Sequence, residues 1–186
     1  MHTPDRTAAT FVSTLAWISL VLAALGTAWA VVQLLVGLLI PDTLVVELAA
    51  QGAIPPLLVD LFAWSNVLAM AMLAGSLTLL AAAWGLLKRQ EWARLAFIAL
   101  LLLGALANFA GLALIDPLFD SVPAMFPAEL HSSPEGELVV AQLQSSRRLV
   151  WVTSVAGTLA IAALHGWIAW KMCSAEVRAL FSPARA

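Results

Sequence analysis

The sequence predicts an all-α membrane protein: a four-helix transmembrane bundle with antiparallel neighbours and both termini on the cytoplasmic side. Three observations predict it. Hydrophobic residues make up 62% of the chain and charged residues 11%, against about half and a quarter in soluble domains. Four runs are free of Asp, Glu, Lys and Arg, namely Thr7 to Pro41, Leu61 to Leu87, Leu95 to Ile115 and Leu149 to Trp170. Each reaches the roughly 20 residues needed to cross a ~30 Å hydrocarbon layer. The charges between these runs, finally, are sorted by sign. The 186 residues form a single transmembrane domain with a net charge of −2, which offers no basic field to nucleic acid. Lone Cys173 can form no internal disulfide.

The helices are expected over about 10–40, 60–88, 92–115 and 135–172, with outer loops over 41–59 and 116–134. The first run is too short for two crossings and a turn, so it reads as one long or tilted helix. Ala28-Trp29-Ala30 has the small-x-small form of a signal-peptide cleavage site. Cleavage there would leave the apolar VVQLLVGLLI as a new N-terminus, and MHTPDR carries a single Arg, so the segment reads as a retained span. In PDTLVVELAAQGAIPP, Leu44, Val45 and Leu48 fall on one helical face away from Glu47 and Gln51, which suits a short helix lying along the interface.

GLLKRQEWAR, residues 85 to 94, puts Lys88, Arg89, Glu91 and Arg94 between two apolar runs. A single helix through it would be about 80 Å long, with charges at its middle costing ~2.5 kcal/mol or more each. The chain therefore turns at Lys88 to Glu91, with Trp84 and Trp92 at headgroup level and Arg94 able to meet Glu91 at i, i+3. Further on, PLFDSVPAMFPAELHSSPEGE carries four prolines and reads as irregular or briefly helical. Two caps for helix four overlap at its end: Ser132 with Glu135 as a capping box, or Ser133 followed by Pro134 at the first helical position.

With the turn in the cytoplasm, Arg6, Lys88, Arg89, Arg94, Lys171, Arg178 and Arg185 lie inside and only Arg147 and Arg148 outside, as the positive-inside bias requires. Asp42, Glu47, Asp60, Asp116, Asp120, Glu129, Glu135 and Glu137 then make the outer surface acidic. Either Arg147 or Arg148 is expected to pair with Asp60, Asp116 or Asp120. Trp167 and Trp170 mark the inner interface and Trp64 and Trp151 the outer one.

Small residues recur four apart at Gly26 and Ala30, Ala71 and Gly75, Ala107 and Gly111, and Ala162 and Gly166, a spacing that lets helices approach closely. Gln33, Asn66, Asn108 and Ser154 share one depth in the outer third of the bilayer. They form either a layer of interhelical hydrogen bonds or, with Arg147 and Arg148 at the rim, a polar pocket. His165 lies about 9 Å before Lys171 and reads as an interfacial or hydrogen-bonded histidine, since the spans hold no acidic partner. His131, Glu135 and Glu137 match no metal-ligand spacing, and Cys173 at a helix end reads as packing.

FVSTLAWISLVLAALGTAWAVVQLL at 11 to 35, GLLKRQEWARLAFIALLLLG at 85 to 104 and HGWIAWKMCSAEVRALF at 165 to 181 resemble a group of uncharacterised four-helix bacterial inner-membrane proteins. That group has a GLLkRkxWAR turn between its second and third spans. The resemblance implies the same topology and a bacterial inner-membrane location, and no activity. Phosphate-loop, HExxH and Gly-x-Ser-x-Gly patterns do not occur, so no catalytic residue, cofactor or metal is expected. The reading is a non-enzymatic accessory, scaffold or interaction subunit, whose partners are the lipid bilayer and a membrane protein or a second copy. The alternative is a small transporter, channel or lipophilic-ligand binder.

Overall fold

A computed structural model describes residues 6–51, 54, 56–123, 126 and 133–181. Met125, His131, Ser132 and Arg185 lie outside the described residues. Seven helices follow one another among the described ones: α1 (Arg6–Leu39), α2 (Asp42–Ala50), α3 (Pro56–Leu87), α4 (Glu91–Leu112), α5 (Ile115–Ser121), α6 (Pro134–Met172) and α7 (Ala175–Ala179). Four of them, α1, α3, α4 continued by α5, and α6, are long and apolar enough to cross a membrane. No strand occurs among the described residues. Helices suit such a chain because each satisfies its own backbone groups where no water can. Four hydroxyls within the spans are satisfied likewise: Thr27, Ser76, Thr78 and Thr153 donate to the carbonyls of Ala23, Met72, Ala74 and Leu149, four residues back, at 2.7–2.8 Å.

Helix α1 packs along α3 through a stripe of mainly small residues. Ala8, Val12, Ala16, Ser19, Ala23 and Ala30 are buried, and Gly26 between them faces Ser76, whose Oγ lies 3.0 Å from where a Cβ would stand. The steps of three and four are those of a coiled-coil seam. The other three small-residue pairs are not used in this way. Gly75, Gly111 and Gly166 are exposed and have no atom within 4 Å of a Cβ position among the described residues. In α4 the buried residues are Ala93, Arg94 and Phe97, all in its first two turns.

The packed core sits at the end of the bundle that carries the α3–α4 turn. Val12, Leu86, Phe97, Met172 and Val177 are its largest fully buried side chains, and Phe181 and Ala8 join them. The turn itself closes α3 in a Schellman arrangement: the Gln90 N–H donates to the Gly85 carbonyl and the Arg89 N–H to that of Leu86, both at 3.0 Å. Such a cap needs a residue with positive φ. Here Arg89 takes it, at φ 56°, the only positive-φ residue other than glycine among those described. A Cβ on Gly85 would stand 2.5 Å from that of Ala93, so glycine is required where the two helices approach.

The charged residues of the turn bind neighbouring helices. Arg89 Nη2 donates to the Ala9 carbonyl at 3.1 Å and to Ser13 Oγ at 3.0 Å, both on α1. Its Nη1 is buried without a partner among the described residues, and burial draws its pKa below the ordinary value. The Arg94 side chain is only 7% exposed. It holds Glu91 through Nε at 3.0 Å and through Nη2, and its Nη1 donates to the Met172 carbonyl at 3.2 Å. Lys88 lies over the Trp84 ring, 5.1 Å from its centroid. Ser174 then caps α7 by accepting from the Val177 N–H at 3.4 Å.

At the opposite end α6 starts at Pro134, and of the two available caps Ser133 is used, accepting from the Gly136 N–H at 3.0 Å. At 39 residues the helix is about 58 Å long, so it outreaches the hydrocarbon layer by several turns.

The Arg89 cap can be tested by substitution. Arg89→Ala keeps the unfavourable backbone geometry and loses both bonds to α1, whereas Arg89→Gly relieves a strain of about 1 kcal/mol. Thermal unfolding in detergent should therefore rank wild type above Arg89→Gly and Arg89→Gly above Arg89→Ala. A glycine variant no better than the alanine one would show that the backbone strain is not felt. Arg94→Met, which strands Glu91 and uncaps Met172, is expected to cost about 2 kcal/mol.

Candidate functional site at the open end of the bundle

The core at the turn end gives way at the other end to a pocket of about 550 Å³. The last turns of α1 supply Gln33, Val36 and Gly37, Ile40 follows just beyond its end, and α2 adds Val45 and Val46. The first turns of α3 supply the rest, among them Phe62, Ser65, Asn66 and Leu68. Gln33 and Gly37 stand one turn apart on the same face of α1, and the Asn66 amide occupies the space where a Cβ on Gly37 would project. Ser65 is satisfied by the Phe62 carbonyl at 2.7 Å. The Gln33 and Asn66 amides make no hydrogen bond among the described residues, and no charged side chain lines the pocket. Gly37 was not evident from sequence; the sign available was its place four residues after a polar residue at the same depth.

A second group lies between α5 and α6. Arg147 donates through Nε to Asp116 Oδ1 at 2.9 Å and through Nη1 to Asp120 Oδ1 at 2.8 Å. Its Nη2 lies 2.6 Å from the same Asp116 oxygen, to which Trp151 Nε1 also donates at 3.1 Å. Of the two arginines expected to find an acidic partner at this level, Arg147 therefore does, and with two aspartates. Arg148 is exposed, its position about 100° round the helix from Arg147, and neither it nor Asp60 enters an ion pair among the described residues.

The six candidate residues thus do not converge. Gln33 and Asn66 share the pocket, Arg147 belongs to the ionic cluster, and Arg148 is exposed. Asn108 donates to the Gly104 carbonyl within its own helix at 2.8 Å, and Ser154 is half-buried on α6; neither lines the pocket. His165 meets Gly104 of α4, its Cε1 3.6 Å from a Cβ position there, and its Nδ1 is buried with no hydrogen-bond partner among the described residues. No group of three His, Cys, Asp or Glu residues among those described could hold a metal ion.

The fold and these two groups define a multi-pass α-helical membrane protein with an uncharged pocket at one end of its first two spans. Compared with protein-family models, curated proteins and solved structures, the chain matches none.

Charge reversal probes the ionic cluster. Asp116→Arg should lower the melting temperature in detergent, Asp120→Arg should lower it less, and Arg147→Asp combined with Asp116→Arg should recover part of the loss. Equal stability of all the single variants would mean that the cluster does not hold α6 to α5.

Proposed function

We propose that this chain is a non-enzymatic accessory or scaffold subunit of a bacterial inner membrane, with both termini in the cytoplasm. It acts by presenting helix faces to a membrane-protein partner or to another copy of itself. The observation that carries this reading is that Gly75, Gly111 and Gly166 are exposed, and that a Cβ at each would meet no atom within 4 Å among the described residues. In lipid, helix association relies on close backbone approach at such positions, because hydrocarbon gives no hydrophobic drive between helices. Orientation rests on the basic residues at the turn end and on the positive-inside bias. The bacterial location rests on the resemblance carried by GLLKRQEWAR and its flanking segments. The packed core at the turn end favours this reading over a channel or transporter, which needs a path through the bundle.

Two measurements test it. In a Cys173→Ser background, cysteines at Lys88 should react with an impermeant thiol reagent only after the inner membrane is opened, and cysteines at Glu47 or Glu137 before. The reverse pattern would invert the topology. For association, Gly111→Leu and Gly166→Leu should abolish crosslinks to a partner or second copy while leaving the melting temperature of the monomer unchanged. A chain that is monomeric at every density in the membrane, with no crosslinked protein in cells, would sink the scaffold reading.

A further inference from the structure

We propose that the pocket between α1, α2 and α3 is a binding site for a zwitterionic phospholipid bearing an ammonium headgroup. One acyl chain lies along the apolar wall, and its ester carbonyl and glycerol oxygens are held by Gln33 and Asn66.

Three observations carry this. The two amides face a cavity lined otherwise by groups such as Val36, Ile40, Val45, Phe62 and Leu68, and neither amide has a hydrogen-bond partner among the described residues. Both side chains are exposed, and at a depth within the outer third of the bilayer little water is present to pair with them, so a lipid's ester oxygens supply acceptors for both. The pocket holds about 550 Å³, within the roughly 300–1,000 Å³ of small-molecule sites. The lining carries no charge, so the occupant is neutral where it is enclosed and its charged part lies outside. Two carboxylates neighbour the lining in the chain: Glu47 follows the lining residue Val46 on α2, and Asp60 lies between the lining residues Val59 and Leu61 on α3. Both are exposed, and neither is in an ion pair among the described residues. They attract an ammonium headgroup and repel an anionic one.

A partner helix fits this place poorly. It would be about 10–12 Å across and would need a groove running the length of the span, whereas α2 contributes Val45 and Val46 across the end of the pocket. A lipid enters from the bilayer with its headgroup beside α2 and needs no such groove.

The test uses the full chain in phosphatidylcholine vesicles doped with phosphatidylethanolamine that carries a diazirine in one acyl chain. After illumination, crosslinked peptides should concentrate on 33–46 and 59–68, well above the exposed Leu102, Leu103, Leu106 and Phe109 of α4. The Gln33→Leu, Asn66→Leu double variant should lower that enrichment about tenfold, the loss expected for two hydrogen bonds. Gly37→Ala, which displaces the Asn66 amide without removing it, should lower it less, and melting temperatures of both variants separate lost binding from lost fold. Replacing the probe with a phosphatidylglycerol analogue should weaken labelling several-fold, and Glu47→Gln with Asp60→Asn should erase that difference. Labelling spread evenly over the exposed helices, or unaffected by the double variant in a folded protein, would overturn the site. Displacement by an isoprenoid quinone but not by excess phospholipid would overturn the occupant, and equal labelling by the two headgroups would overturn the role of the carboxylates.

Discussion

The α3–α4 turn is the constraint on which the rest of the structure depends. Charge is costly in hydrocarbon, so a cluster of four charged side chains fixes where the chain must surface. The same side chains then determine what gathers there. Arg89 reaches α1 and Arg94 reaches the end of α6, so one short connection touches the beginning of the first span and the end of the last. Arginine suits both positions because its five donors form a fixed fork that can serve a hydroxyl, a carbonyl or a carboxylate at once. Arg94 at Met172 also places a cation at a helix C-terminus, where the exposed carbonyls favour it. Beyond that cap, α7 returns Val177 and Phe181 to the same core as Ala8 and Val12, and the chain closes on itself at this end.

The positions of the four spans were legible in the sequence because the bilayer imposes a length on every apolar run, and that requirement survives without any knowledge of packing. The turn was legible for the complementary reason, and Glu91 with Arg94 followed from helical spacing. What could not be read was which face of each helix meets another. In a soluble helix the polar side marks the exposed face, whereas α1, α3 and α4 are apolar all round and carry no such mark. The small-residue pairs illustrate the loss: Gly26 and Ala30 look no different in sequence from Ala107 and Gly111, yet only the first pair lies in an interface within the chain.

The same gap explains the fate of the polar layer. Gln33, Asn66, Asn108 and Ser154 share a depth, which counting along the chain can show, but depth fixes one coordinate and leaves rotation about each helix axis free. Gln33 and Asn66 are brought together because the α1 stripe packs along α3 for its whole length, down to Gly37 against Asn66. Asn108 turns back to its own helix because the buried residues of α4 end at Phe97. Arg147 was easier to anticipate than the amides, since a guanidinium near an interface must find an anion and the candidates in sequence were few.

Stability is consequently distributed unevenly along the membrane normal. At the turn end, packing, caps and arginine bonds involve all four spans. At the other end, α1 with α3 and α5 with α6 are held by separate devices, a seam of small residues in one case and a half-exposed ionic cluster in the other. The two devices are independent, because neither the pocket nor the Arg147 cluster draws residues from both pairs, and only a small contact between α3 and α5 joins the pairs at this end. The open end can therefore accommodate a lipid at little cost to the core, while the turn end keeps the topology fixed. Local unfolding of this kind is drawn from regions with few buried contacts, and in this bundle those regions are the ones that carry both the pocket and the unpartnered faces of α4.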